Sequence, residues 1–185
     1  KMVDQYYALR EFALLREKSE SLSLYALVDG IQFDRFFNES LKEDKGIRSL
    51  FCLPEDKILA FAGPWLLNVS KLSGDHLVKI SQLEEKYPAV SWIISEQPFV
   101  TLARHLELSL MVSLPTKEKG LFRFYDCRVL KRLPELLSSG QVAELMKYSQ
   151  RWFFLSEGEI NCYQYDAGML GCCIIRNNEL SRDVL

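Results

Sequence analysis

Between residues 4 and 165 the chain alternates strand-length apolar segments with segments carrying a helical stripe, and no linker or repeat interrupts the alternation. Such a pattern restricts the fold to a sheet with helices laid on it. Residues 4–18 read as a helix with Ala8, Phe12 and Leu15 along one side. Residues 22–28 read as a buried strand ended by the turn pair Asp29–Gly30, and residues 33–41 as a short helix. Strands are expected at 48–53 and 57–62. Asp75 is expected to cap a helix through Tyr87, where Leu77, Ile80 and Leu83 recur at helical spacing and Pro88 stops it. Residues 90–95 form an apolar run of strand length. Pro98 then opens a helix with Phe99, Leu102, Ala103 and Leu106 on one face.

Residues 108–114 and 121–125 are expected to pair as a hairpin across the polar loop 115–120. Residues 127–137 read as helical with a break at Pro134, and 141–149 as a short helix. A second hairpin is expected from 151–155 and 159–165 around Glu157–Gly158. An apolar patch at 172–175 precedes a polar tail. The expected class is therefore α+β. One domain over residues 1–185 holds a single mixed, partly antiparallel sheet, with the hairpins as its antiparallel part and helices on its faces.

Fixed charges flank one junction in particular, Leu121-Phe122-Arg123-Phe124-Tyr125-Asp126-Cys127-Arg128-Val129-Leu130. In a strand, Phe122 and Phe124 share one face while Leu121, Arg123 and Tyr125 share the other. Asp126 is placed as the N-cap of the helix that follows. Arg123 has Asp126 within reach, so it either pairs inside the protein at a strand–helix corner or is offered to a partner.

Composition removes several function classes. The formal net charge is -2 and the basic residues are scattered, which gives a polyanion binder no footing; no nucleic-acid partner is expected. No run is long enough to span a bilayer, and residues 1–20 lack the apolar core of a signal peptide, so the expected location is the cytoplasm. The five cysteines, Cys52, Cys127, Cys162, Cys172 and Cys173, are odd in number and show no C-x-x-C spacing, which argues against a disulfide framework and a zinc site. Glycines do not cluster as a phosphate loop, and no metal or cofactor is expected. Asp29 reads as a turn residue before glycine. Trp65, Trp92 and Trp152 lie in apolar runs, Trp65 being the one best placed to face a groove. An alternative reading is a cysteine-dependent hydrolase with Cys127 as nucleophile, His105 as base, and Asp126 or Glu96 as orienter.

The junction motif also resembles the signature of a domain-of-unknown-function family that serves as effector chaperones, or adaptors, in bacterial type VI secretion. Members commonly read Phe-Arg-Phe-Tyr-Asp-Pro-Arg-Val-Leu, and this chain has Cys127 at the proline position. Leu24-Tyr25-Ala26-Leu27-Val28-Asp29-Gly30, Gly63-Pro64-Trp65-Leu66, Trp92-Ile93-Ile94-Ser95-Glu96-Gln97-Pro98, Leu102-Ala103-Arg104-His105-Leu106 and Trp152 extend the likeness over residues 24–152. The resemblance implies a cytosolic, non-enzymatic adaptor that holds a toxin effector and helps load it onto the spike protein VgrG. Glu96, Arg104, Arg123, Asp126 and Arg128 are expected to form one charged cluster at the strand ends, with Trp65 beside it, as the partner-binding surface. Many members of the family continue well beyond the Trp152 region into a variable C-terminal lobe. The short extension 153–185 therefore belongs either to a compact member or to a partial chain.

Overall fold

A computed structural model describes residues 5–51, 59–113, 119–166 and 169–175. Helix α1 (Tyr7–Arg16) leads to β1 (Ser23–Asp29), α2 (Gly30–Phe37), β2 (Ile47–Ser49) and β3 (Pro64–Asn68). A 3₁₀ turn at Val69–Lys71 precedes α3 (Gly74–Lys86), β4 (Val90–Ser95) and α4 (Phe99–Ser109). The short strands β5 (Met111–Ser113) and β6 (Lys119–Leu121) follow. Next come α5 (Cys127–Lys131), α6 (Leu133–Leu136) and α7 (Ser139–Met146), then β7 (Arg151–Ser156), β8 (Glu159–Asp166) and β9 (Met169–Ile175).

Among the described residues seven strands form one sheet in the order β2-β3-β1-β4-β7-β8-β9. Every neighbouring pair is antiparallel, so the fold is α+β but the sheet is not mixed. The crossover explains the difference. Strands β3 and β4, joined through α3, run in the same direction, but β1 lies between them and opposes both. Leu24, Ala26, Val28, Trp92 and Ile94 face one side of the sheet and pack with Tyr7, Phe33, Ile80 and Leu83 of α1, α2 and α3. Tyr25, Leu27, Ile93, Trp152 and Phe154 face the other, against Leu102, Leu106, Leu130, Val142 and Met146. With helices on both faces, the central strands have no solvated side and read as unbroken apolar runs.

Several local expectations change. Residues 108–109 finish α4, and among the described residues Met111–Ser113 and Lys119–Leu121 pair as a two-stranded ribbon apart from the main sheet. Residues 122–125 are not strand. The Phe124 N–H donates to the Phe122 carbonyl and the Asp126 N–H to the Arg123 carbonyl, so the backbone bends toward itself there instead of pairing. Residues 59–62 form a 3₁₀ turn, and the rest of the strand expected at 57–62 lies outside the described residues, as does most of the loop 115–120. The strand expected at 48–53 is the shorter β2, and residues 52–53 also lie outside the described set. Ser73, not Asp75, caps α3, its hydroxyl accepting from the His76 N–H at 3.2 Å. Asp29 does not close a turn; its carboxylate accepts from the Ile31 and Gln32 N–H groups and caps α2. The helical break falls at Arg132, because Pro134 sits in the first turn of α6, where no N–H is needed.

One polar group sits inside the first core. Tyr7 Oη and Trp92 Nε1 both donate to Glu84 Oε2, each at 2.9 Å. Burial raises the Glu84 carboxyl from its ordinary 4.5 to about 8, with the Trp92 and Tyr7 hydrogen bonds offsetting part of the rise. Between those values the folded protein keeps a proton that the unfolded chain releases, so Glu84 costs stability progressively as pH rises from 4.5 toward 8. Glu84→Gln retains an acceptor for both donors and removes that cost. In paired thermal melts the variant is expected to gain on wild type from about pH 5 to about pH 8. A difference that stays constant with pH contradicts the assignment.

Candidate functional site

One end of the sheet gathers most of the charged signature. Asp29 ends β1 opposite Pro64 of β3, and its N–H donates to the Ala89 carbonyl at 2.8 Å. The Gly30 N–H donates to the Gly63 carbonyl at 2.8 Å. From the other side of the sheet, α5 docks at the same end. The Cys127 N–H donates to the Pro88 carbonyl at 3.1 Å and the Cys127 thiol to the Val90 carbonyl at 3.2 Å. The starts of α2 and α5 are thereby fixed by backbone hydrogen bonds to one end of the sheet, each capped by an aspartate.

Asp126 is buried and its caps are charged as well as backbone. Its Oδ1 accepts from the Arg128 N–H at 2.9 Å and from Arg128 Nε at 3.0 Å, while Oδ2 accepts from Nη2 at 2.8 Å. Burial opposes the Asp126 charge, but Arg128, with a smaller contribution from Arg123, holds the carboxyl below the usual range. Asp29 goes the other way. Its burial raises the carboxyl, and its helix-capping bonds and the charge of Arg123 offset this only in part. The Arg123 guanidinium lies 5.6 Å from the centre of the Tyr125 ring. Burial also pushes the Tyr125 phenol up.

Of the expected cluster, the corner brings together Arg123, Asp126 and Arg128. The intramolecular partner of Asp126 is Arg128, not Arg123. A side chain in the first turn folds back onto its own cap, and among the described residues Arg123 makes no ion pair. Arg123 is exposed, and the Arg128 side chain is 74 % exposed despite its two-pronged bond. Glu96 is elsewhere: it follows the opposite end of β4 and accepts from Ser21 Oγ at 3.5 Å. Arg104 is elsewhere too, pairing at 3.5 Å with Glu107, which also binds Arg48. Trp65 is only 3 % exposed, and its indole N–H donates to the Phe61 carbonyl at 3.0 Å, so it supports the corner from inside and offers no surface to a partner.

The residues of the hydrolase alternative are bonded to different backbones. The Cys127 thiol donates to Val90, while His105 Nε2 meets the Leu145 carbonyl at 2.9 Å. Burial, with Glu84 and Asp126 adding to it, drives the thiol far above its ordinary range, which leaves no thiolate near neutral pH. A proline at position 127 would remove the bond from the Cys127 N–H to the Pro88 carbonyl. Pro88 is exposed and its carbonyl can turn to water, so Cys127→Pro is expected to cost about 1 kcal/mol. Cys127→Ala, which keeps the N–H, is expected to lose less, as chemical denaturation of the two variants will show.

Asp29 at the corner, and Glu84 in the core close to Cys127, were not expected from sequence. Asp29 had a readable signal, an aspartate directly before a segment with Phe33, Phe36 and Phe37 at helical spacing. Glu84 had one as well: it stands four residues after Ile80 and seven after Leu77, on the apolar stripe of α3. Among the described residues, no group of three or more His, Cys, Asp or Glu is placed to hold a metal ion. No helix among them is long and apolar enough to cross a membrane.

A three-layer α+β domain with a doubly capped, arginine-bearing sheet end is the class these features define. Residues 24–144 match the domain of unknown function DUF4123, and the chain belongs to that family. The match spans β1 through most of α7, and so includes both capping aspartates and both corner arginines. Comparison with curated proteins and with solved structures gives no match.

Proposed function

We propose that this protein is a non-enzymatic cytoplasmic adaptor that binds a type VI secretion effector and helps load it onto the VgrG spike. The observation that carries the reading is the corner itself. Arg123 and Arg128 are exposed on a backbone fixed from both faces of the sheet, inside the stretch that resembles the adaptor signature. Arginine beside a buried aromatic is common chemistry for a protein-binding hot spot, because the planar cation stacks and makes several directed hydrogen bonds. Asp126 and Asp29 are buried and Asp126 holds Arg128 through both carboxylate oxygens, so on this reading the arginines rather than the carboxylates meet the partner.

Affinity purification of the tagged chain from its native host, read by mass spectrometry, tests the reading. A toxin and a spike protein recovered together are the expected result. Recovery of neither, from cells in which both are expressed, overturns it.

A further inference from the structure

A pocket of about 350 Å³ opens between the C-terminal end of α3, the start of α5 and the turn joining β7 to β8. Glu84 lines it although the residue is only 7 % exposed. Both protein hydrogen bonds go to Oε2, from donors that cannot supply a charge, and Oε1 accepts none among the described residues. Two neighbouring cations are committed elsewhere. Arg128 is held by Asp126 at 2.8 Å, and Lys131 lies 3.6 Å from Glu157. Glu85 and Glu157 also line the pocket, and Lys86 is the one other basic lining residue. The carbonyl end of a helix such as α3 itself favours positive charge. Leu155 and Tyr87 supply apolar wall for an alkyl stem.

From this arrangement we infer that the pocket binds a primary ammonium group, in a protein ligand the side chain of a lysine, with Glu84 Oε1 as its counter-ion. A buried carboxyl with one oxygen unused lacks what an ammonium brings, a compact charge with three donors on a flexible apolar stem. The site stands apart from the adaptor reading; on that reading the lysine is the partner's. The titratable groups that act on Glu84 or feel its charge are Tyr7 of α1, Glu85 of α3 and Cys127 of α5, and Lys86, Arg128 and Glu157 line the same pocket. Because the free carboxyl titrates near 8, an entering ammonium displaces a proton. Affinity therefore rises about tenfold per pH unit below that value and levels off above it.

Titration of the full chain with n-butylammonium chloride, followed by the Trp92 indole N–H resonance, tests the site, with n-butanol as the neutral control. The expected result is a saturable shift whose affinity rises about tenfold between about pH 6 and about pH 7. Glu84→Gln should weaken it at least about tenfold and abolish the pH dependence. Leu155→Trp, which narrows the mouth without touching the carboxyl, should also weaken it and serves if Glu84→Gln does not fold. An equal shift with n-butanol, equal affinity in the folded variants, or binding that ignores pH overturns the proposal. None of these outcomes bears on whether an effector and a spike co-purify.

Discussion

Gly30→Ala is expected to lower the melting temperature by about 6–12 °C, a loss of about 3 kcal/mol for a chain of this size. The cause is space rather than backbone freedom. Gly30 opens α2 with its N–H bound to the Gly63 carbonyl, and a Cβ there would run into the carbonyl oxygens of Phe61 and Gly63 and the Trp65 indole nitrogen. Two of those three atoms are backbone, so no rotamer change relieves the overlap, and the segment that carries Gly63, Pro64 and Trp65 must shift off β1. Gly74, in the first turn of α3, is the matched control. A Cβ there meets nothing within 4 Å, so Gly74→Ala should be neutral or stabilise by about 0.4–1 kcal/mol. If both variants melt alike, the close approach of α2 to the 61–65 segment is wrong.

Trp152→Ala is expected to cost more, about 3–5 kcal/mol. The ring is fully buried in the middle of the sheet, its N–H donates to Ser91 Oγ at 2.9 Å, and it meets Phe124 edge-on at 5.9 Å. Truncation leaves a cavity, strands a serine hydroxyl and removes the contact that holds the signature segment to β4 and β7. Denaturant unfolding should show the midpoint falling with little change in slope. A loss under about 1 kcal/mol would mean that the 122–126 segment is held mainly by its own backbone bonds.

Much of the fold was legible in the chain because burial on both faces leaves a strong local mark. The apolar runs at 90–95 and 22–28 and the stripe Leu77, Ile80, Leu83 correspond to β4, β1 and α3. Strand direction was not legible. That β1 lies between β3 and β4 depends on pairings far apart in sequence, which no local periodicity records. The corner was legible in part for the same reason. Asp126 showed itself as a cap through its neighbours, but Glu96 and Asp126 stand near strand ends that only the topology separates. The pairing of Arg128 with Asp126 depends on a side chain folding back in the first helical turn, and the sequence offered Arg123 for that bond equally well.

The exposed arginine corner as the docking surface is tested most directly by one measurement, the affinity of purified effector and VgrG for wild type and for Arg123→Ala at matched melting temperature. Arg123 makes no ion pair among the described residues and lies over Tyr125, so its removal should leave stability within about 0.5 kcal/mol. Loss of an interface anchor should weaken binding by roughly 2 kcal/mol, about thirtyfold. Stability and affinity for both partners unchanged would contradict the assignment and move the docking surface away from this corner.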